Sequence, residues 1–251
     1  MRKHIINVSN IAETKANLLE ESISRFMVLS IMAGFFVGIA VVLISTIAGL
    51  IPDHPFQKII LGLSFGIALS LVLVIGAELF TGNNFIMMIG SLEKKVKWKN
   101  TFKVWGLSYF GNLLGSILIA ILFINSGLVT GSIKEFIINS SATKMNLDFM
   151  ALIYRGILCN ILVCLAIFSY IKLENDAAKL MMISWCLFAF VVSGFEHSIA
   201  NMTIFSIGLL VEHPESVSLM GSLNNLVPVT IGNFIGGGLF VGGGYWFIGN
   251  Q

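Results

Sequence analysis

The sequence GAELFTGN occupies residues 76–83 and GFEHSIAN occupies residues 194–201, so the pattern G-x-E-x-x-x-x-N occurs twice, each time within a long apolar stretch. The offset between the two glutamates, Glu78 and Glu196, is 118 residues. A carboxylate is costly to place inside a bilayer and usually marks a functional site there. Two carboxylates at matched positions therefore indicate a site assembled from two halves of a duplicated membrane protein, an arrangement typical of transporters.

The composition of the chain is that of an integral membrane protein. Of its 251 residues, 56% are hydrophobic and 11% are charged, and the mean hydropathy is +0.91. In soluble domains about 25% of the residues are charged. The formal net charge of +2 gives no indication of a nucleic-acid partner, and we expect the lipid bilayer to cover much of the surface.

Apolar stretches of about twenty residues are long enough to cross the hydrocarbon core as helices. The second and fifth such stretches are longer than one crossing needs, and each contains one of the polar motifs in its middle. We therefore predict an all-α membrane protein with six transmembrane helices, of which the second and fifth are broken around a cavity. The six stretches are residues 26–50, 59–90, 101–126, 149–171, 180–211 and 223–249.

A second motif repeats one stretch later in each half, as GNLLGS at residues 111–116 and GNFIGG at residues 232–237. The offset between Asn112 and Asn233 is 121 residues, close to the offset between the glutamates. Because each half would contain three crossings, the second half must be inverted relative to the first, which predicts a 3+3 inverted repeat. The two asparagines either line a pathway or bond between helices.

The distribution of lysine and arginine predicts the orientation in the membrane. Of the 15 basic residues, 11 lie in the two termini and in the second and fourth connections, and four lie elsewhere. By the positive-inside rule both termini face the cytoplasm, and the third connection, residues 127–148, is external. We expect a multi-pass protein of the cell membrane.

Residues 1–25 are mostly polar and are interpreted as a cytoplasmic N-terminal segment that precedes a transmembrane channel domain, residues 26–251. Asn10 and Glu13 resemble a capping box, which predicts that a helix begins there. We expect this helix to lie along the membrane surface. Its partly amphipathic character comes from Ile11, Leu18, Leu19 and Ile23.

His197 is the strongest candidate for a functional side chain, because imidazole changes its charge near neutral pH. The alternative is a structural histidine that ties two helices together. We interpret Glu78 and Glu196 as braces that accept backbone N–H bonds in the broken segments. Asn83 and Asn201, which end the two motifs, are predicted to support the same segments.

Helix breaks near the middle of a bilayer expose backbone N–H groups and positive dipole ends, which favour an anion, and Thr81 adds a hydroxyl donor. The surrounding side chains are mainly Phe, Leu, Ile and Met, so the route must be narrow and the substrate small. Desolvating an anion there is costly unless the anion is bonded or neutralised, and His197 could supply the proton. Lys144 could concentrate anions at the entrance, although a solitary loop lysine is usually only solvated.

The chain contains no nucleophile motif, phosphate-binding loop, metal-ligand cluster or pair of carboxylates at catalytic spacing. The sequence therefore predicts neither an enzyme nor a bound metal or cofactor. The three cysteines lie within apolar stretches and are interpreted as small core residues, namely Cys159, Cys164 and Cys186.

Four segments resemble, in order, the signature segments of the formate/nitrite transporter family, and the resemblance extends over essentially all six stretches. They are residues 77–83, 156–160, 194–202 and 232–233. This resemblance implies an aquaporin-like protomer and a homopentamer in which every protomer has its own pore for a small monovalent anion or its neutral acid.

The resemblance also implies roles for individual residues. His197 would be the central pore histidine, Thr81 the hydroxyl of the second-helix loop, Asn160 a donor to the histidine region and Lys144 the basic residue of the external vestibule. Two constrictions are implied as well. The outer one would consist of Leu79, Phe80 and Val163, and the inner one of Phe65, Leu69 and Phe190.

Within the family, the run Thr-Gly-Asn-Asn at residues 81–84 and the segment around Lys144 are most similar to the hydrosulfide-channel branch, with nitrite-type members close behind. Hydrosulfide is therefore our first expectation, with a dedicated nitrite or formate transporter as the alternative. A neutral-solute pore of the aquaporin type would require a paired Asn-Pro-Ala signature, which the chain lacks. The remaining alternative is a membrane scaffold protein that does not transport a solute.

Overall fold

The computed structural model describes residues 1–251 and consists of helices without strands. Two of the helices continue into segments of π-helix, Val72–Gly76 after α4 and Ile235–Gly243 between α11 and α12. The helices are α1 (Arg2–Glu21), α2 (Ile23–Leu50), α3 (Gln57–Ser64), α4 (Ile67–Leu71), α5 (Phe80–Leu92), α6 (Trp98–Asn125), α7 (Gly131–Met145), α8 (Phe149–Lys172), α9 (Asp176–Val192), α10 (Ser198–Leu210), α11 (Leu219–Phe234) and α12 (Gly244–Gly249).

Five helical stretches are long and apolar enough to cross a membrane, and α10 is a shorter apolar helix. The protein is therefore a multi-pass membrane protein. The second predicted stretch is divided between the helical run Gln57–Gly76 and α5, and the fifth is divided between α9 and α10. The five stretches are Ile23–Leu50, Gln57–Gly76, Trp98–Asn125, Phe149–Lys172 and Leu219–Gly249.

A glycine opens each G-x-E motif at the end of the preceding helix: Gly76 is the last residue of its helical run, and Gly194 lies two residues after the end of α9. Gly76 has φ +91° and Gly194 has φ +72°, a backbone region that residues with a side chain rarely adopt. The chain then becomes extended, with φ −149° at Ala77 and φ −111° at His197, before the next helix begins. The motifs thus encode interruptions, and each interruption places polar residues beside freed backbone groups.

Close contacts between backbones hold α2 on α6 and α8 on α11 in the same manner. A Cβ atom at Gly115 would collide with the carbonyl oxygen of Ile31, and one at Gly232 would collide with that of Ile153. Small residues allow the helices to approach this closely. Within a bilayer, van der Waals packing of this kind drives helix association in place of the hydrophobic effect. The packing matters for the site because α6 carries Asn112 and α11 carries Asn233.

The N-terminal helix α1 begins at Arg2, so the prediction of a helix start at Asn10 and Glu13 is wrong. Its apolar face is packed onto the other helices instead of facing lipid alone, because a regular stripe of small and aliphatic residues starts well before Asn10. On α5, Gly90 leaves room for Ala12. The buried residues of this stripe are Ile5, Val8, Ala12, Ala16 and Leu19.

Polar contacts fasten α1 at its two ends. Arg2 donates to Glu93 at 2.6 Å and to Asn250 at 2.8 Å. The hydrogen bond from Arg2 lowers the pKa of the Glu93 carboxyl. Near the other end of α1, Asn100 donates to Glu20 at 2.6 Å.

Candidate functional site

The two interruptions meet through their side chains. Thr81, in the first turn of α5, and His197, which precedes α10, lie with Oγ1 and Nε2 3.0 Å apart. Both residues are buried, with exposed fractions of 0% for Thr81 and 5% for His197. Since the chain separates them by more than a hundred residues, only the fold brings these two polar side chains together.

The hydrogen bonds of His197 define which of its nitrogens carries a proton. Nδ1 accepts the backbone N–H of Ala200 at 3.2 Å, so Nδ1 bears no proton. The neutral ring then carries its proton on Nε2 and donates it to the hydroxyl of Thr81. Because the Nε2–H is used in this bond, the hydroxyl hydrogen of Thr81 is the donor that the contact leaves free.

Asn112 satisfies the backbone groups that the first interruption exposes. Its Oδ1 accepts the N–H of Phe80 at 2.9 Å, and its Nδ2 donates to the carbonyl oxygens of Ser30 at 2.7 Å and Glu78 at 2.9 Å. Non-helical backbone is tolerated inside a membrane only when such groups find partners within the protein. Asn112 is therefore a brace that joins α2, the interruption and α6.

Asn233 does the same for the second interruption with an equivalent set of bonds. It accepts from the N–H of Ser198 at 2.9 Å and donates to the carbonyl oxygens of Gly156 at 2.8 Å and Glu196 at 3.0 Å. Of the two possibilities that the sequence left open for these asparagines, the structure shows the bonds between helices.

The carboxylate of Glu78 does not accept backbone N–H groups, so the predicted role of the glutamates as backbone braces is wrong. Both of its oxygens accept from Nζ of Lys15 at 2.7 Å, and one also accepts from Nδ2 of Asn83 at 3.0 Å. Sequence reasoning missed Lys15, because it lies in the N-terminal segment that precedes the predicted channel domain. No signal in the sequence pairs it with Glu78.

Glu196 has the corresponding partners in the second half. Its oxygens accept from Nζ of Lys144 at 2.8 and 2.9 Å and from Nδ2 of Asn201 at 2.6 Å. Lys144 lies in the last turn of α7, and Asn225 holds the same turn by donating to the carbonyl of Lys144 at 2.8 Å. Lys144 is thus held in an ion pair and is not merely a solvated loop lysine.

Asn160 binds backbone carbonyl groups. Its Nδ2 donates to the carbonyl oxygens of Thr81 at 3.2 Å and Asn233 at 2.6 Å, and the thiol of Cys164 also donates to Thr81 at 3.5 Å. Asn160 therefore fixes the backbone at Thr81 and has no hydrogen bond to the ring of His197.

A cavity of about 260 Å³ leads from the surface to His197, and we call it the Lys144 cavity. Beyond it lies a chamber of about 10 Å³, which is about the space that one water molecule requires. His197 is the one polar residue of the chamber, and it is shared with the Lys144 cavity, as are Phe65 and Phe190. The chamber is lined by Val37, Phe65, Ala68, Leu69, Leu79, Val163, Leu187, Phe190 and His197.

The Lys144 cavity bears on the predicted constrictions. Phe65 and Phe190, assigned to the inner constriction, line the same cavity as Lys144, which was assigned to the external vestibule. Leu79, assigned to the outer constriction, lines the small chamber together with Phe65 and Phe190. The assignment of Phe65 and Phe190 to the inner side and that of Lys144 to the external side are therefore inconsistent with each other.

The structure also gives the positions of three other residues that were assigned to the constrictions. Leu69 and Val163 line the small chamber. Phe80 packs edge-on against Tyr109, with ring centroids 5.0 Å apart, and lines neither the chamber nor the Lys144 cavity.

Removal of the Lys144 charge is expected to destabilise the protein. In the variant Lys144→Met the carboxylate of Glu196, which is 3% exposed, would lose its cationic partner. We expect a loss of about 3 kcal/mol in stability, at the lower end for a broken buried pair because Lys144 retains some contact with solvent. Thermal unfolding in detergent measures this loss.

Two further variants make this measurement decisive. The double variant Lys144→Met with Glu196→Gln should regain most of the stability, since no buried charge is left alone. Lys134→Met is the matched control, because Lys134 pairs with Glu212, whose side chain is 94% exposed. Equal thermal-unfolding midpoints for Lys144→Met and Lys134→Met would contradict a stabilising ion pair between Lys144 and Glu196.

The geometry can be compared with known proteins. The family model described as "Formate/nitrite transporter" matches residues 3–247. The nitrite transporter NirC of Escherichia coli K12 is 38% identical over 248 residues, which cover 98% of this chain and 90% of NirC.

Solved structures show the same similarity. An "FNT family ion channel" superposes with a TM-score of 0.94 at 35% identity and covers 99% of both chains. A "Pentameric formate channel with formate bound" superposes with a TM-score of 0.80 at 32% identity and covers 90% of this chain and 97% of that one. These relatives are transporters and channels and not enzymes. The chain therefore belongs to the formate/nitrite transporter family.

Proposed function

We propose that the protein is a channel of the cell membrane through which a small monovalent anion, or its neutral acid, crosses each protomer past the contact between Thr81 and His197. The observation that carries this proposal is the position of His197, which lines both the Lys144 cavity and the apolar chamber and bonds to the buried hydroxyl of Thr81. An anion that loses water there needs hydrogen-bond donors in its place.

The proposed route follows from the order of the surrounding groups. A substrate enters the Lys144 cavity, passes between Phe65 and Phe190, and reaches His197 and the free hydroxyl hydrogen of Thr81. It crosses either hydrogen-bonded to these donors or as the neutral acid. On the far side it passes Leu79 and leaves toward the entrance beside Lys15 and Glu78. Phe65 and Phe190 are in edge-to-face contact, with ring centroids 5.6 Å apart, so the two rings must separate when a substrate passes.

The proposed architecture is a six-crossing inverted repeat with an aquaporin-like protomer. Its support is the equivalence of the two halves, in which Asn112 and Asn233 make the same three kinds of bond. In addition, each motif glutamate is paired with a lysine. Inversion then places the two ion pairs at opposite entrances.

We further propose a homopentamer, with both termini in the cytoplasm and with residues 1–25 as the cytoplasmic segment. The similarity to a pentameric formate channel supports the oligomeric state, and the charge distribution supports the orientation. The remainder, residues 26–251, forms the channel domain of each protomer.

The substrate candidates are nitrite, formate and hydrosulfide. NirC is named for nitrite, and the pentameric relative contains formate, which supports these two for the present chain. Hydrosulfide is supported by the run at residues 81–84 and by Lys144, which are similar to the hydrosulfide branch. All three are compact conjugate bases of weak acids, so a hydrogen-bond donor beside apolar side chains suits each of them.

Flux into proteoliposomes tests the proposal and ranks the substrates. We expect the purified protein to pass at least one of nitrite, formate and hydrosulfide much faster than protein-free liposomes, in equal gradients at the same pH. Osmotic swelling in glycerol or water, measured on the same vesicles, is the control. Water or glycerol permeation without flux of any of the three anions would replace this proposal by a neutral-solute pore.

A further inference from the structure

The charged groups of the Lys144 cavity are two lysines, Lys58 and Lys144, and no carboxylate lines it. The ammonium group of one lysine is paired with a carboxylate, and that of the other has no partner. Which of the two attracts an anion is decided by the charges that already surround each ammonium group.

The charge of Lys144 is compensated. Its Nζ lies 2.8 and 2.9 Å from the two carboxylate oxygens of Glu196, and Glu196 is buried behind it. From the cavity this pair acts as a dipole, whose field decreases faster with distance than that of a single charge. An anion that approaches Lys144 also approaches the carboxylate, and it must compete with a partner that cannot leave.

The charge of Lys58 is uncompensated. Lys58 is exposed in the first turn of α3, and its ammonium group has neither a salt bridge nor a hydrogen bond in the structure. The ion pairs of the protein involve other lysines, in α1, α7, α9 and the connection after α5. Its positive charge and its N–H donors are therefore free for a solute.

Lys58 also lies on the face of the helix that leads to the constriction. Lys58, Leu61 and Phe65 are spaced i, i+3 and i+7, and all three line the Lys144 cavity. Seven residues of helix correspond to about 10 Å. The free charge is thus about two helical turns from Phe65, which faces Phe190 at a ring distance of 5.6 Å.

We propose that Lys58 is the specificity-determining charge of the Lys144 cavity, which raises the local concentration of monovalent anions before they reach Phe65 and His197. This inference rests on the proposed function as an anion channel. A single net charge in a cleft with low-dielectric walls attracts counter-ions over several ångströms and speeds their arrival. The effect weakens as salt shortens the screening length.

Formate influx into proteoliposomes at low ionic strength provides the first test. We expect Lys58→Gln to lower the initial rate by about three- to fivefold, and Lys58→Glu to lower it further, because a unit charge at contact distance is worth about 1 kcal/mol in a largely aqueous setting. The differences should shrink at about 0.15 M salt. Lys134→Gln is the matched control, since Lys134 is already paired and does not line the cavity.

Chemical modification of Lys58→Cys provides the second test within one folded protein. The native Cys159, Cys164 and Cys186 are buried, so a polar thiol reagent reaches the introduced cysteine selectively. A cationic aminoethyl methanethiosulfonate should restore the wild-type rate, whereas an anionic sulfonatoethyl reagent should lower the rate below that of the unmodified variant.

The outcomes separate this inference from the proposed function. Wild-type formate influx together with unchanged rates for Lys58→Gln, Lys58→Glu and both adducts would overturn the role of Lys58 and leave the channel proposal intact. Absence of influx of formate, nitrite and hydrosulfide through the wild type would overturn both. A rate that follows the sign of the charge at position 58 supports both.

Discussion

Replacement of His197 by phenylalanine is expected to reduce anion flux through the reconstituted protein on the order of ten- to a hundredfold, because a hydrogen bond to a charged group is worth about 1.5–3 kcal/mol. The variant removes the Nε2–H donor that lies 3.0 Å from the hydroxyl of Thr81. It also removes the acceptor for the N–H of Ala200. Initial rates for nitrite, formate and hydrosulfide in proteoliposomes measure the loss.

His213→Phe is the matched control, because His213 is exposed in the connection before α11. The variant His197→Asn separates two ways of crossing. Asparagine supplies an N–H donor and an acceptor but does not transfer a proton near neutral pH. Substantial flux through this variant means that hydrogen bonding suffices, whereas flux as low as that of His197→Phe means that a proton moves. Wild-type flux through His197→Phe would refute the role assigned to the imidazole.

Replacement of Asn233 by leucine is expected to destabilise the protein by at least about 3 kcal/mol, since three buried groups lose their partner and each such loss costs about 1–3 kcal/mol. The variant leaves the N–H of Ser198 and the carbonyl oxygens of Gly156 and Glu196 without the side chain that binds them. The interruption before α10 would lose its support, and flux should fall together with stability. Thermal unfolding in detergent and flux at low temperature measure the two effects.

Asn224 offers the control on the same helix. It is exposed, and its side chain makes no hydrogen bond in the structure, so Asn224→Leu should change stability little. Asn112→Leu should resemble Asn233→Leu, because Asn112 makes the equivalent bonds at the first interruption. If the thermal-unfolding midpoints of Asn233→Leu and Asn224→Leu were equal, the hydrogen bonds of the Asn233 side chain would contribute nothing to stability.

Family membership and the multi-pass membrane class were readable from the sequence. Both rest on local properties, namely apolar stretches of crossing length and short motifs that keep their residue types and spacing. Gly76 and Gly194 show why the motifs carry so much information. A glycine with positive φ ends the helical path of the backbone. The polar side chains that follow it can bond to freed backbone groups only because the helix is interrupted there.

Partners that are distant in the sequence could not be read in the same way. Lys15 was missed as the partner of Glu78, since a lysine in a polar terminal segment has no local signature of burial. The sequence also did not show that Phe65 and Phe190 share a cavity with Lys144, because apolar residues at either end of a pore have the same types and periodicity.

The chain alone thus determined where helices must stop, which segments prefer lipid and which polar groups cannot be left there, because backbone stereochemistry and transfer free energies act residue by residue. The tertiary structure decided which groups meet. It joined Thr81 to His197, gave each buried glutamate a lysine, and left Lys58 without a partner. Hydrogen bonds and ion pairs depend on distances of a few ångströms, and those distances exist only after the helices have packed.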